Sequence, residues 1–348
     1  MNIIKISSIA LGILTVISCG SDKPKHIKWS VSTKNNVVKQ GDNLAIQFST
    51  FESEFDSLVV SSAGKKATFT NNTTPISWNT TKQKLGTTAL KFELYANSKK
   101  YTRQGNYIVV ANKSPKRYTY EVLESYAHNP ISFTQGLEFD GDDFYEGTGQ
   151  RGKSTLEKIE LESGKSLQKH KLSDEIFGEG ITIMKDKIFQ LTWQAGIGYI
   201  YNKSDFSLEK TFPFGVSREG WGLCNDGKYL YKSDGTTNIY KIDPVTFQEI
   251  SKIQVTSDQT AYQLINELEW VDGKIYANVY FKDEILIINP ETGEVEGIID
   301  MTNIMYPPAG KKNREEVLNG IAFKGVKNEL FVTGKLWPKL FKVKVVEK

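Results

Sequence analysis

Five segments of the chain begin in the same way and continue into the same kind of predicted hairpin. Successive segments start 44, 42, 45 and 53 residues apart, at Gln135, Glu179, Trp221, Asn266 and Asn319. A repeat of about 40–45 residues made of short strands is typical of a β-propeller with four strands per blade. Because a propeller brings equivalent positions of all blades to one central axis, the repeat also predicts which distant residues meet.

The two ends of the repeat region predict how the ring of blades closes. One strand-like run, residues 118–126, precedes the first repeat, and another, residues 340–346, follows the last. A ring leaves no free sheet edge if its first and last strands share one blade. The predicted fold class is therefore all-β, with a five-bladed β-propeller over residues 118–348. A loop insertion at 306–312 lengthens the last interval, and we expect it to act as a lid.

Residues before the propeller predict a second, smaller module. Residues 26–112 alternate between strand-like runs, such as 90–95 and 107–110, and turn residues. About seven short strands in a segment of this length are typical of a small immunoglobulin-like β-sandwich. We interpret this module as a spacer or docking unit. Residues 20–25 form a predicted polar tether in front of it, and residues 113–117 a predicted linker behind it.

The first nineteen residues have the character of a signal peptide. Residues 6–18 are a largely apolar run preceded by a lysine, too short to span a bilayer. The run ends in Val-Ile-Ser-Cys, which resembles the lipobox of bacterial lipoproteins. We expect Cys19 to be lipidated and to anchor the protein to a membrane of the bacterial cell envelope, either in the periplasm or at the surface. The alternative is a plain secretory signal with Cys19 near the cleavage point.

Composition narrows the classes of partner and cofactor. The formal net charge is +3, from 44 basic and 41 acidic residues, without a basic run that would favour nucleic acid. Lipidation of Cys19 leaves Cys224 as the remaining free thiol, so no intrachain disulfide is expected, and its apolar strand position predicts a core residue. The three histidines are too scattered for a zinc site. We therefore expect neither a metal nor a cofactor.

Aligning the repeats predicts a pocket on the axis. Fourteen residues after the first four starting positions, and sixteen after the fifth because its hairpin is longer, lie Gly149, Trp193, Gly235, Tyr280 and Lys335. Together with the starting positions they supply apolar walls and few polar groups, the usual composition of a small-ligand site.

Several of these side chains have a structural interpretation as well. Glu179 lies between two glycines, where an unpaired carboxylate is costly unless it is used, but Lys335 is a candidate for its ion-pair partner. Trp193 and Trp221 suit blade packing as well as a ligand platform. The side chains that we interpret as possible links between blades are Asn266, Asn319, Glu146, Glu219, Glu267 and Glu269.

A series of motifs in chain order makes the pattern more specific. They are Phe-Thr-Gln-Gly-Leu from residue 133, Tyr-Glu-Gly-Thr-Gly from 145, Phe-Gly-Glu-Gly-Ile-Thr from 177, Gln-Leu-Thr-Trp from 190, Glu-Gly-Trp-Gly-Leu from 219, Asn-Glu-Leu-Glu from 266, Leu-Asn-Gly-Ile-Ala from 318 and Val-Thr-Gly-Lys-x-Trp-Pro from 332. Together, over roughly residues 118–345, they resemble the plant and bacterial type of glutaminyl-peptide cyclotransferase.

That resemblance implies a metal-independent five-bladed propeller that converts the N-terminal glutamine of peptides or proteins to pyroglutamate and releases ammonia. It implies active-site positions at Phe133, Gln135, Phe177, Glu179, Trp193, Trp221, Asn266 and Lys335, six of which the repeat alignment also selects. Several family members have tryptophan after Ala-Asn-Val, whereas this chain has Tyr280 there, which bears on substrate preference.

The chemistry of that reaction assigns a role to each residue. We expect Glu179 to carry a proton from the attacking amine to the leaving nitrogen, and Lys335 to face the developing oxyanion. Gln135 and Asn266 would orient the reacting groups. The aromatic walls would be Phe133, Phe177, Trp193, Trp221 and Tyr280.

Two other functions remain as alternatives at this point. A non-catalytic surface propeller that binds a peptide or glycan would use the same pocket without releasing ammonia. A calcium-dependent hydrolase or lactonase would need several oxygen ligands at the axis, where the aligned positions are mostly aromatic or glycine.

Overall fold

The computed structural model describes residues 27–31, 33–50, 55–70, 75–305 and 314–348. Cys19 with the rest of the predicted signal peptide, the tether and the predicted lid at 306–312 lie outside these residues. Within them, no helix has the length and apolar character needed to cross a membrane.

The N-terminal module consists of two sheets that enclose one core. One sheet has the order β1-β3-β6 and the other β2-β8-β7-β4-β5. Side chains of β4 alternate between buried and half-buried, as a strand with one face on a core requires. The predicted sandwich is confirmed. Its elements are β1 (Ile27–Val31), a 3-10 turn (Lys34–Asn36), β2 (Val37–Lys39), β3 (Asn43–Thr50), β4 (Ser57–Ser62), β5 (Lys65–Phe69), β6 (Ile76–Asn79), β7 (Gly86–Ala96) and β8 (Lys99–Val110).

The remainder of the described chain forms five four-stranded antiparallel blades, as the repeat predicts. The first blade contains β10 (Thr134–Asp140), β11 (Asp143–Thr148), β12 (Thr155–Glu160) and β13 (Lys165–Lys171). The second contains β14 (Phe177–Met184), β15 (Lys187–Trp193), β16 (Ile197–Asn202) and β17 (Leu208–Pro213). The third contains β18 (Leu223–Asn225), β19 (Leu230–Ser233), β20 (Asn238–Ile242) and β21 (Glu249–Gln254). The fourth contains β22 (Ile265–Val271), β23 (Lys274–Val279), β24 (Glu284–Ile288) and β25 (Val295–Asp300). The fifth contains β26 (Leu318–Ala322), β27 (Glu329–Gly334), β28 (Lys339–Glu347) and, from the start of the domain, β9 (Lys116–Ala127).

The closure of the ring depends on β9. This strand pairs antiparallel with β28, from Ala127 opposite Lys339 to Tyr118 opposite Glu347. It thereby supplies the outermost strand of the fifth blade, and its other edge pairs in parallel with β25 of the fourth blade. The prediction that the first and last strands share one blade is confirmed.

Glycines allow the inner strands to approach one another closely. A Cβ atom on Gly180 would lie 2.7 Å from the backbone nitrogen of Leu223, and one on Gly222 only 2.1 Å from the carbonyl oxygen of Asn266. The fourth repeat has Glu267 at this position, and its carboxylate accepts the backbone N–H groups of Leu137 and Ile321 at 3.4 and 3.0 Å. The fourth blade is therefore tied to the first and the fifth by a side chain.

Apolar clusters between blades supply the core of the propeller. Cys224 is 1% exposed and packs with Tyr231, Ile265 and Leu268, where the third blade meets the fourth. Burial raises the pKa of its thiol well above the usual value. The interpretation of Cys224 as a core residue is confirmed.

Candidate active site

In four of the five repeats, an irregularity in the inner strand encloses the first residue of the repeat. The register of β10 against β11 shifts between Thr134 and Gly136, so Gln135 lies within the shift. Equivalent shifts enclose Glu179 in β14, Asn266 in β22 and Asn319 in β26. A β-bulge leaves a residue outside the regular ladder and redirects its side chain.

The structure brings all nine predicted pocket residues together. They surround a cavity of about 300 Å³, to which Glu315 also contributes. A larger cleft, of about 760 Å³, lies where the sandwich meets the third blade, and none of the predicted residues lines it. We consider the smaller cavity the functional one because it combines aromatic walls with convergent polar groups. Its lining residues are Phe133, Gln135, Phe177, Glu179, Trp193, Trp221, Asn266, Tyr280, Glu315 and Lys335.

Five aromatic rings surround the cavity, and we call them the aromatic girdle. Phe133 contacts Phe177 edge-on at 6.0 Å between ring centroids, and Phe177 contacts Trp193 in the same way at 5.4 Å. On the other side Trp221 meets Tyr280 edge-on at 6.0 Å. The ammonium of Lys335 closes this side, at 4.4 Å from the ring of Phe133 and 5.7 Å from that of Tyr280.

Glycines at the second aligned position make room for two of these rings. A Cβ atom on Gly149 would lie 2.3 Å from the ring of Phe177, and one on Gly235 would lie 2.5 Å from that of Trp221. The second position of each repeat therefore either supplies a pocket residue, as at Trp193, or leaves space for the ring of a neighbour.

The polar groups of the pocket form a chain of hydrogen bonds. The Lys335 ammonium donates to the side-chain oxygen of Gln135 and, at 3.3 Å, to the carbonyl of Thr134. Gln135 then donates from Nε2 to Oε1 of Glu179 at 3.2 Å. The carboxamide of Gln135 thus lies between the two charged groups and relays their interaction. Asn319, which the sequence suggested as a link between blades, donates from the fifth blade to the Thr134 carbonyl of the first at 2.8 Å.

Burial dominates the electrostatics of both charged groups. Glu179 is 4% exposed, and burial raises the pKa of its carboxyl well above 4.5; Lys335 opposes this rise and Glu219 adds to it. Burial also lowers the pKa of Lys335 to about 7, against the opposing effects of Glu179, Glu267 and Glu315. Burial thus shifts the pKa of each group in the direction that favours its neutral form, and groups with pKa values shifted in this way are suited to proton transfer.

Asn266 lines the cavity and has an unused side-chain acceptor. Its backbone carbonyl accepts a hydrogen bond from the hydroxyl of Ser233 at 2.7 Å. Its side-chain oxygen, in contrast, is buried without a hydrogen-bond partner among the described residues. A buried acceptor of this kind is costly unless a ligand completes it. Asn266 is therefore equipped to receive an N–H group of a substrate.

Glu315 is a pocket residue that the sequence did not predict. It follows the insertion at 306–312 and has no equivalent in the other repeats, so the alignment contains no signal for it. Its charge helps to keep Lys335 protonated. Within the described residues, no group of three or more His, Cys, Asp or Glu side chains is arranged to hold a metal ion.

The fold is an all-β propeller, and its aromatic cavity contains a buried carboxyl and a buried amine. This class of site is suited to acid–base chemistry on a small chemical group of a ligand. Comparison with known proteins makes this class specific. A model of the glutamine cyclotransferase family matches residues 90–345. The chain belongs to this family, and the predicted resemblance is confirmed.

Two relatives illustrate the match. The glutaminyl-peptide cyclotransferase of Arabidopsis thaliana is 38% identical over 227 residues, which cover 65% of this chain and 71% of that protein. The crystal structure of Myxococcus xanthus glutaminyl cyclase superimposes with a TM-score of 0.62 at 35% identity, over 67% of this chain and 99% of that one.

Proposed function

We propose that the protein is a glutaminyl-peptide cyclotransferase, which converts the N-terminal glutamine of peptides or proteins to pyroglutamate and releases ammonia. The observation that carries this proposal is the position of Glu179. Its carboxyl group is buried inside the aromatic girdle, accepts a hydrogen bond from Gln135 and has a raised pKa. Membership of the glutamine cyclotransferase family supports it.

The reaction requires a substrate side chain that bends back toward its own α-amine, and a group that transfers one proton. The α-amine of the glutamine attacks the carbonyl carbon of its own side chain, and a five-membered ring forms. Because nucleophile and electrophile belong to one molecule, a cavity that selects the cyclic conformer supplies much of the rate enhancement. A cavity of about 300 Å³ with rigid aromatic walls suits this task.

Glu179 moves the proton in our scheme. The carboxylate takes a proton from the amine as the new carbon–nitrogen bond forms. The same carboxyl then gives that proton to the departing nitrogen, so the carbon–nitrogen bond of the side-chain amide breaks and ammonia leaves. The enzyme ends with the carboxylate it began with, and general acid–base help of this kind is worth roughly 10²–10⁴-fold.

The other polar side chains hold the reacting groups. Lys335, at the edge of the same cavity, stabilises the oxyanion that develops on the attacked carbonyl. Gln135 fixes Glu179, and the unused oxygen of Asn266 receives an N–H group of the substrate. The aromatic girdle excludes water, whose attack on the same carbonyl would yield glutamate.

The decisive experiment measures ammonia release and pyroglutamate formation from a short peptide with N-terminal glutamine. The enzyme is the soluble form without residues 1–19, tested with and without EDTA. We expect turnover that persists in EDTA, disappears in Glu179→Gln and persists in Glu157→Gln, a matched change at a buried glutamate of the first blade outside the cavity. Binding of glutamine peptides without ammonia release would instead favour a binding propeller.

We also propose that Cys19 is lipidated and that the enzyme acts at a membrane of the bacterial cell envelope. The lipobox-like sequence at residues 16–19 supports this. Cells fed a labelled fatty acid should incorporate label into the wild-type protein and not into Cys19→Ala. Equal labelling of both proteins would contradict the proposal.

A further inference from the structure

At one position in the aromatic girdle, two neighbouring rings are connected by a carboxylate instead of by direct contact. Among the described residues, adjacent rings of the girdle meet directly or through Lys335, except where Trp193 of the second blade faces Trp221 of the third. There a single oxygen of Glu219, Oε2, accepts the indole N–H of Trp193 at 3.0 Å and that of Trp221 at 3.1 Å. One carboxylate therefore connects the two halves of the wall.

We propose that Glu219 is a positioning residue of the active site, which sets the spacing and orientation of the two indole walls and through them the fit of the substrate. The inference rests on the proposed function, because it concerns the substrate of that cavity. Glu219 does not itself line the cavity, so it acts through Trp193 and Trp221.

The backbone that carries Glu219 is itself rigidly held. The buried ammonium of Lys232 donates to the carbonyls of Ser217 and Glu219, at 3.4 Å each. The Ser217 hydroxyl donates to the Glu219 carbonyl at 3.0 Å. Just before Glu219 in the chain, the backbone N–H groups of Val216 and Ser217 donate to the carboxylate of Glu249 at 2.9 and 3.4 Å. A side chain that starts from so constrained a backbone can fix its partners precisely in space.

Lys232 connects the segment around Glu219 to Glu249, whose Oε1 lies 3.7 Å from its ammonium. It is completely buried, lies 4.4 Å from the ring of Phe214 and 5.2 Å from that of Tyr240, and does not line the cavity. A buried amine is costly unless its hydrogen bonds are used. Two of these bonds hold the segment from which Glu219 reaches the indoles.

A purely structural role for Glu219 is the competing explanation, since indole N–H groups in a protein interior need an acceptor. Each ring, however, has an independent support. Trp193 packs against Phe177 and lies 5.5 Å from the guanidinium of Arg151, while Trp221 lies on Gly235 and meets Tyr280. These contacts hold each ring without the help of Glu219. The carboxylate is what relates one ring to the other.

The test is a double-mutant cycle on the full-length protein. Glu219→Ala is introduced into the wild type and into Trp193→Phe/Trp221→Phe, whose rings have no N–H to donate. In the wild type we expect KM for an N-terminal glutamine peptide to rise roughly tenfold or more, because a shift of about 1 Å in a positioning group can cost 10²-fold, while kcat changes less. In the double-phenylalanine background we expect little further change. An equal rise in KM in both backgrounds, or none in the wild type, would overturn the proposal.

The KM readout separates positioning from stability. A role confined to stability reduces the folded fraction, which lowers apparent kcat and leaves KM unchanged. Glu157→Ala serves as the control because it removes a glutamate that also accepts side-chain hydrogen bonds but touches no indole, and its KM should equal that of the wild type. Glu219→Gln keeps an acceptor oxygen and should recover most of the lost affinity. If Glu219→Ala does not fold, Glu219→Asp replaces it. The shorter side chain keeps the charge and withdraws the carboxylate oxygen from the two indole N–H groups. A KM equal to that of the wild type in this variant would overturn the proposal.

A second measurement does not depend on turnover. Tryptophan fluorescence of the folded protein should change on Glu219→Ala in the wild-type background and remain unchanged in the double-phenylalanine background. A protein without ammonia release that still shows this difference would refute the proposed function and leave the link between the indoles intact. Identical spectra of Glu219→Ala and the wild type would refute the link.

Discussion

Gln135 donates a hydrogen bond of 3.2 Å from Nε2 to Oε1 of Glu179. The direction of this bond is determined by the groups behind it. Lys335 and Asn319 both donate to the amide oxygen of Gln135, so its NH₂ group faces the carboxylate. A donor aimed at a carboxylate stabilises the charged form, which is the form that accepts the proton of the amine.

The first prediction concerns this bond. In Gln135→Leu the carboxylate of Glu179 loses a donor and the ammonium of Lys335 loses an acceptor, and we expect kcat to fall roughly a hundredfold as both groups move. Steady-state kinetics with an N-terminal glutamine peptide measures it. Gln190→Leu is the matched control, since Gln190 is equally buried but lies outside the cavity. Similar kcat values for the two variants would contradict the role of Gln135.

The second prediction concerns pH. The carboxylate form of Glu179 increases as the pH rises through its pKa, so kcat should fall on the acidic side at a pH above 4.5, because burial raises that pKa. Lys335 acts in the opposite direction, and its removal in Lys335→Met should move the acidic limb to still higher pH. The kcat–pH profiles of both proteins test this. If the acidic limb of the Lys335→Met profile lies at the same pH as that of the wild type, Lys335 does not influence the pKa of Glu179.

The third prediction concerns the wall. Trp193→Ala should raise KM more than it lowers kcat, since the ring contributes apolar contact, and a loss of about 1.4 kcal/mol of binding corresponds to roughly tenfold in KM. Trp270→Ala is the control, because Trp270 of the fourth blade stacks on Tyr231 of the third and lies outside the cavity. A larger loss in kcat than in KM would mean that Trp193 orients the reacting atoms.

Much of the site could be predicted because a propeller converts spacing along the chain into proximity. Glu179 and Asn266 are 87 positions apart, yet both begin a repeat, and the irregularity in each inner strand aims them at one cavity. The alignment did not select Phe133 and Phe177, which precede the repeat starts by two residues and were implied by the family resemblance alone. The period of a repeat predicts which positions are equivalent, whereas the full set of residues that line the cavity depends on side-chain packing.

Two features lay beyond sequence reasoning for physical reasons. Glu315, which follows the insertion at 306–312, lines the cavity from a segment to which the repeat period does not apply. The relation of Glu179 to Lys335 was also open, because the alignment predicts that both charges meet at the axis and is silent about the groups between them. The structure places the amide of Gln135 there. Whether two charges pair directly or through an amide is decided by distances that no sequence pattern contains.

The fourth prediction concerns stability. A carboxyl whose pKa is raised by folding binds its proton more tightly in the native state, so the protein loses stability as the pH rises above the unfolded value of 4.5. Glu179→Gln removes this cost. We expect its Tm to exceed that of the wild type near pH 8, by about 2–4 °C for each kcal/mol regained, and the difference to shrink toward pH 4.

Glu157 provides the control of opposite sign. Burial acts to raise the pKa of Glu157, but hydrogen bonds from Lys169, Ser166 and Thr155 outweigh it and lower that pKa. Its charged form therefore stabilises the fold above the unfolded pKa, and Glu157→Gln should lower Tm near pH 8. Thermal unfolding of the three proteins at both pH values measures the contrast. If Glu179→Gln were destabilised at pH 8 as Glu157→Gln is, the fold would favour the charge of Glu179, and the raised pKa on which its role as proton carrier depends would be wrong.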